Sequence, residues 1–366
     1  MLFCYPVTAS EENWLHEGLV NLLLEIFSTE VFSEDRWLDL FPADKRSAMA
    51  RKTSLFRQIR LIIAENNFLD HAQRDVIRRC INSQNSIPDL FDGESLLVAL
   101  PDDLRPELTT ALSDLFKTAF VLLSNLGIRD RQYEKIYQEI PARVCAFCGI
   151  EPLDAPVPEI PRESLDHYLA LSLYPFAGVN LRNLAPMGHK CNSSHKGAAN
   201  ILLNQNGSRR RCFDPYGDLT ARVSLLNSRP FEGETKQLFV LPDWEIDLEG
   251  EGEEVATWDS VFGIRARYKN NVLDAEIRGW IDHFAQWWTR EVQVVPTDTS
   301  AVVALLERYI ASVIQEGFGD HTFLKRATFE MLAHQCSQAS SGQRLVDWII
   351  SLLSPDTGAV LPIGQT

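Results

Sequence analysis

Cys145-Ala-Phe-Cys148-Gly149, Asp166-His167-Tyr168, Asn183-Leu184, Gly188-His189-Lys190-Cys191-Asn192 and His195-Lys196 follow one another along one stretch of this chain. Two cysteines separated by two residues can turn both sulfurs toward one tetrahedral ion, and Gly149 permits the tight turn this needs. One such pair is half a site. Cys191 offers a third thiolate. His189 or His195 offers the fourth ligand, the first two residues before Cys191 and the second one helical turn after it. Buried reduced thiols are the alternative, and the clustering of a third cysteine and two histidines favours structural zinc.

Asp166-His167 alone is a weak signal, because the same dipeptide recurs at Asp70-His71, Asp282-His283 and Asp320-His321. Those copies stand beside no cysteines and read as surface or helix residues. Asp166-His167 differs in lying between the cysteine pair and Cys191-Asn192. The apolar run 165–171 reads as a short strand or turn carrying it, and 181–185 as its partner strand. Asn192 or Ser193 can cap a helix running to Leu203.

Outside this stretch the chain reads as scaffold. Up to about residue 140 apolar residues recur at helical spacing, as at Trp14, Leu15, Leu19, Leu22, Leu23 and Phe27. Pro106 opens a further helix and Gly127 stands where it should stop. A proline-rich arm follows the cysteine pair. Segments 221–226, 237–241 and 255–262 read as strands, and the acidic run 249–254 as a solvated loop. From Val272 the chain is helical again, with Ile277, Trp280, Ile281, Phe284, Trp287 and Trp288 on one face. The expected fold class is α+β, mostly helical, in three parts: a helical scaffold or partner-docking domain over 1–140, a small central core over 141–218, and a mixed β then helical accessory region over 219–366.

The net charge is −15 and the pI about 5.0, which excludes a protein that coats nucleic acid nonspecifically. The distribution is uneven. No Asp or Glu occurs from His167 through Phe213, while Arg182, Lys190, Lys196, Arg209, Arg210 and Arg211 fall there. A basic island on an acidic chain points to a local phosphate-binding surface. The N-terminal segment lacks the basic start of a signal peptide, and the other cysteines are too scattered for a secreted disulfide framework. The expectation is a cytoplasmic protein with no membrane span.

The order CxxC, Asp-His, Asn-Leu, Cys-Asn, Lys resembles the HNH endonucleases, also called ββα-metal or His-Me finger nucleases, in their zinc-containing branch. The resemblance covers residues 143–218. It implies a small ββα-metal core in which His167 is the general base, Asp166 and Asn192 hold a catalytic Mg²⁺ or Mn²⁺, Asn183 steadies the loop and the histidine, and Lys196 contacts phosphate. One departure is plain: that branch has Cys-x-x-Cys before the Asn, and here the first of those positions is Gly188.

The function this implies is metal-dependent hydrolysis of DNA phosphodiester bonds, in a bacterial anti-phage defence or restriction context. Since no GxxxxGK[ST] sequence is present, an ATP-driven step would belong to a partner ATPase. The alternatives are a zinc-stabilised nucleic-acid-binding or assembly module with little catalysis, and an RNA nuclease using the same residues.

Overall fold

A computed structural model describes residues 1–160, 163, 165–230, 242–250, 252–338 and 342–354. Among these described residues the protein is mostly helical, with two small two-stranded antiparallel sheets. It divides into two compact units, one formed by 1–220 with 252–262 and the other by 221–250 with the chain from 263 onward. The stretches expected as separate over 1–140 and 141–218 therefore share one unit.

In the first unit six helices precede the cysteine pair: α1 (Trp14–Ile26), α2 (Ala43–Met49), α3 (Thr53–Asn66), α4 (His71–Asn85), α5 (Pro106–Asn125) and α6 (Ile128–Glu139). Their limits follow local chemistry. Asp70 and Gln73 form a reciprocal capping box at the start of α4, so the first stray Asp-His pair is a helix cap. Pro106 opens α5. Gly127 separates α5 from α6 in the left-handed conformation, at φ 66°. Helices α3 and α5 pack together, and Leu112, Leu115 and Phe116 of α5 are fully buried. Each such side chain contributes about 1.5–3 kcal/mol relative to exposure. Among the described residues no single helix is long and apolar enough to cross a membrane. Helices α5 and α6 pass that test only as a pair bent by 64°.

The expected hairpin is present. β1 (Leu165–His167) pairs antiparallel with β2 (Leu184–Pro186), with Asp166 opposite Ala185 and His167 opposite Leu184. The expected helix from Asn192 to Leu203 is not. Lys190–Lys196 forms one π-helical turn that stops at Gly197, φ 46°. Beyond it, asparagine side chains capture the backbone: Asn200 accepts from the amides of Leu202 and Leu203, and Asn204 from those of Asn206 and Ser208. Such local bonds compete with helix.

Two further expectations are corrected. Residues 255–262 are not a strand but part of helix α7 (Gly252–Phe262), which buries Val255, Trp258, Val261 and Phe262. The spacing 255, 258, 262 is helical, and strand alternation would put 255 and 258 on opposite faces. The acidic run is not a solvated loop throughout: Glu249 ends a strand, and Glu254 is 1% exposed inside α7.

In the second unit β3 (Arg222–Ser224) pairs with β4 (Asp247–Glu249), a shorter form of the strand expected over 221–226. The strand expected over 237–241 lies outside the described residues. The other described elements are helical: α8 (Ile264–Arg267), a π turn (Tyr268–Leu273), α9 (Asp274–Glu291), α10 (Thr299–Val313), α11 (Thr322–Cys336) and α12 (Gly342–Leu353). Ile277, Trp280, Ile281, Phe284 and Trp288 of α9 are buried, so the tryptophan-rich face is core. Asp282-His283 lies within α9, and Asp320-His321 immediately precedes α11.

Candidate functional site

Two centres adjoin in the first unit: a cysteine cluster and an Asp-His hairpin. The cysteine pair sits in a tight knuckle. Val144 bridges Pro152, and Cys145 N–H donates to Glu151 O at 2.8 Å. Gly149 N–H donates to Cys145 O at 2.7 Å, and Gly149 turns at φ 66°, the left-handed backbone that glycine adopts without penalty. The π turn brings Cys191 to the pair. The sulfurs of Cys145, Cys148 and Cys191 lie within 4.8 Å of one another and all three residues are buried.

This trio could hold a metal ion such as zinc. The surroundings fit a cation. Burial, first, pushes the Cys145 thiol well above its ordinary range, and hydrogen bonding to Cys145 and Cys148 does the same for Cys191. Three thiolates this close and this buried need a positive charge among them. Backbone amides already point at the sulfurs, Ile150 N–H at Cys148 Sγ (3.4 Å) and the Gly188 backbone at Cys145. His189 and His195 do not belong to the trio, and both are exposed.

The hairpin presents Asp166 and His167 on adjacent positions of β1. His167 is 8% exposed. Its Nε2 lies 2.8 Å from Gly178 O. A carbonyl only accepts, so Nε2 carries the proton and Nδ1 keeps a lone pair. The Phe120 ring packs 4.2 Å from the imidazole, centroid to centroid, with the Arg129 guanidinium 4.2 Å from that ring. Burial, the largest cause, lowers the His167 pKa. Gly178 and Asp166 oppose this, and Lys196 and Arg129 add to it. Neutral imidazole is the form a general base requires.

Asn183 is fully buried and ties the loop to the strand. Its Oδ1 accepts from Leu169 N–H (2.6 Å), and its Nδ2 donates to Leu169 O and Ala177 O (3.1 Å each). Lys196 reaches back from the π turn to Asp166. Asn192 stands one turn before Lys196, half-buried, and its backbone N–H donates to Gly188 O at 2.9 Å.

The helical scaffold holds this loop through side chains that periodicity does not single out. Gln132 of α6 donates to Leu181 O (2.8 Å) and Leu184 O (3.2 Å). Asn13 accepts from Leu181 N–H, and Gln84 from Phe176 N–H, each at 3.0 Å. Tyr5 O–H donates to Pro186 O at 2.6 Å. Trp258 of α7 donates to Phe147 O at 2.7 Å, inside the cysteine knuckle.

Most of the basic island is engaged within the protein. Arg182 pairs with buried Asp214, whose own pKa burial raises. Arg211 pairs with Glu254 at 3.0 Å. Arg209 donates to Leu90 O and Leu202 O, and Arg210 to Ile201 O and Asn200 O. Lys196 is buried, and Lys190 is exposed. These four arginines brace the loops around the site, an arrangement that an acid-free window of sequence does not reveal.

Comparisons with protein-family models, curated proteins and solved structures returned no match. The functional reading rests on the geometry of this chain. Of the two short strands and helix expected over this stretch, the hairpin is present and the helix after Asn192 is reduced to one turn.

Proposed function

We propose that this protein is a metal-dependent phosphodiester hydrolase of the HNH type, acting on DNA. One observation carries the reading. A buried, neutral His167 is held by Gly178 O on a hairpin whose loop is locked by Asn183, with the Asp166 carboxylate on the next residue. His167 Nδ1 would take the proton from the attacking water, a step that Nε2–H···O=C bonding favours by leaving Nδ1 the proton acceptor. Asp166 and Asn192 are the residues that would hold a divalent ion, which when bound supplies charge stabilisation to the phosphate and leaving oxygen. Asn183 keeps the histidine loop from relaxing, and the Phe120 ring limits water on one face of the imidazole.

The test is nicking of supercoiled plasmid by the purified chain with Mg²⁺, with Mn²⁺ and with EDTA, beside His167→Ala. The expected result is cutting that needs the metal and falls by roughly 10²–10⁴-fold in the variant, the usual range for a general base. Undiminished cutting by His167→Ala would overturn the assignment.

A further inference from the structure

We propose that Glu151 supplies the fourth ligand of the cysteine-bound metal, making the site Cys₃Glu. The proposal rests on the reading of Cys145, Cys148 and Cys191 as a metal centre, and is independent of nuclease activity.

Three thiols leave a tetrahedral ion one ligand short. The position where a fourth cysteine would stand is Gly188, and the reason it is glycine is steric. A Cβ built there would lie 2.6 Å from Glu151 Cβ and Cδ and 2.7 Å from Oε2. Real side chains do not approach so closely, so the Glu151 side chain fills the volume that a residue-188 side chain would use. Positions 188 and 151 are alternatives for one space, and the chain has put a carboxylate in it.

That carboxylate is aimed. Glu151 lies on the returning arm of the cysteine knuckle, three residues after Cys148. Its Oε1 accepts from Lys190 N–H at 2.7 Å, and its Oε2 from Cys191 N–H at 3.1 Å. Two amides thus orient it against the turn that carries the third sulfur. Oε2 stands 3.9 Å from Cys148 Sγ. In a tetrahedral zinc site with ordinary Zn–S and Zn–O bonds the S···O separation is about 3.6 Å, a few tenths of an ångström less. The donor atoms within 4.8 Å of one another are the three sulfurs alone, so ligation requires the Glu151 carboxylate to swing inward from beside Cys148 toward the other sulfurs. A carboxylate oxygen has lone pairs to spare beyond one amide bond, so ligation need not cost the Cys191 contact. The competing donors, His189 and His195, are exposed, whereas Glu151 is half-buried and held against the turn that carries Cys191.

The experiment uses the full chain reconstituted with Zn²⁺ and, separately, Co²⁺. Metal content is measured by mass spectrometry, affinity by chelator competition, and the ligand shell by X-ray absorption. Wild type should hold one zinc with three sulfurs and one light atom. Glu151→His, whose Nε2 reaches about as far from the backbone as the carboxylate, should add imidazole scattering to the shell, which only a residue directed at the ion can do. Glu151→Ala should weaken zinc binding on the order of 100-fold, the upper end of what even an outer partner is worth. Gly188→Cys combined with Glu151→Gly, which also removes the Cβ that crowds residue 188, should restore four-sulfur coordination. Where Glu151→Ala fails to fold, Glu151→His and Glu151→Gln still read the shell. A shell without imidazole scattering in Glu151→His, or unchanged zinc affinity in Glu151→Ala, would overturn the fourth ligand while leaving the cysteine centre standing. A wild-type chain that takes up no metal, or Cys191→Ser binding zinc as wild type does, would overturn both.

Discussion

Lys196 Nζ lies 3.3 Å from Asp166 Oδ2, with the lysine side chain 1% exposed and the aspartate 23%. Burial lowers the pKa of this lysine, and Asp166 raises it back in part. An ammonium this deep persists because the carboxylate neutralises it. The same carboxylate is the one proposed to hold a divalent ion, so the two cations repel. Lys196→Met should therefore tighten Mn²⁺ binding at Asp166 by roughly tenfold, only about 1.4 kcal/mol of a larger Coulomb term. Titration of Mn²⁺ by electron paramagnetic resonance reads this directly. Unchanged or weaker Mn²⁺ binding would remove Asp166 from the metal site.

Asn183 makes three buried hydrogen bonds to the backbone of its own loop. Asn183→Ala leaves those groups without partners at about 1–3 kcal/mol each before relaxation. The expected loss of stability is roughly 2–4 kcal/mol in urea denaturation. Asn183→Asp should be no better, since it turns an acceptor toward the carbonyls of Leu169 and Ala177. A cost below about 1 kcal/mol in both would mean that the loop is held elsewhere.

Six phosphate contacts from the basic island would give a salt slope near −5 on duplex DNA, about −0.9 per contact. Arg182, Arg209, Arg210, Arg211 and Lys196 all have partners inside the protein. Log affinity should accordingly fall with log salt at a slope of about −1 to −2, measured by fluorescence anisotropy. A slope near −5 would show that these side chains leave their partners on binding. Arg211→Ala should cost roughly 2–3 kcal/mol of stability, because the Glu254 carboxylate, 1% exposed, loses its counter-charge.

His16 on α1 is 5% exposed, and burial lowers its pKa to about 3. An unfolded histidine titrates near 6.5. Between those values the unfolded chain binds a proton that the folded chain does not. Stability from this group is thus full above about pH 6.5 and falls as pH drops, by about 1.4 kcal/mol per unit. From pH 6.5 to pH 5 wild type should lose about 2 kcal/mol more than His16→Leu. Parallel losses in the two proteins would show that His16 becomes protonated without cost.

Much of the site was legible because its parts are local. The CxxC-Gly knuckle, the Asp-His strand with its partner, the start of α5 at Pro106 and the stop at Gly127 each depend on residues a few positions apart, and the structure has them where spacing put them. The errors were also local. An acidic run followed by an apolar segment reads as a loop and strand, whereas Val255, Trp258 and Phe262 stand at helical spacing on the packed side of α7. The segment after Lys196 reads as helix, and in the structure asparagine side chains satisfy its backbone instead.

By itself the sequence determined which chemical groups are present and the short-range geometry that joins them: two sulfurs on one turn, a carboxylate beside an imidazole, helices with one apolar face. Tertiary structure alone decided which groups meet. It placed Glu151 in the space beside Gly188, turned Arg182 and Arg211 toward Asp214 and Glu254, and set Gln132, Asn13 and Gln84 against the carbonyls and amides of the histidine loop. Hydrogen bonds and ion pairs act over about 3–4 Å. Partners far apart in the chain come within that distance only once burial of the apolar faces has fixed the path of the backbone.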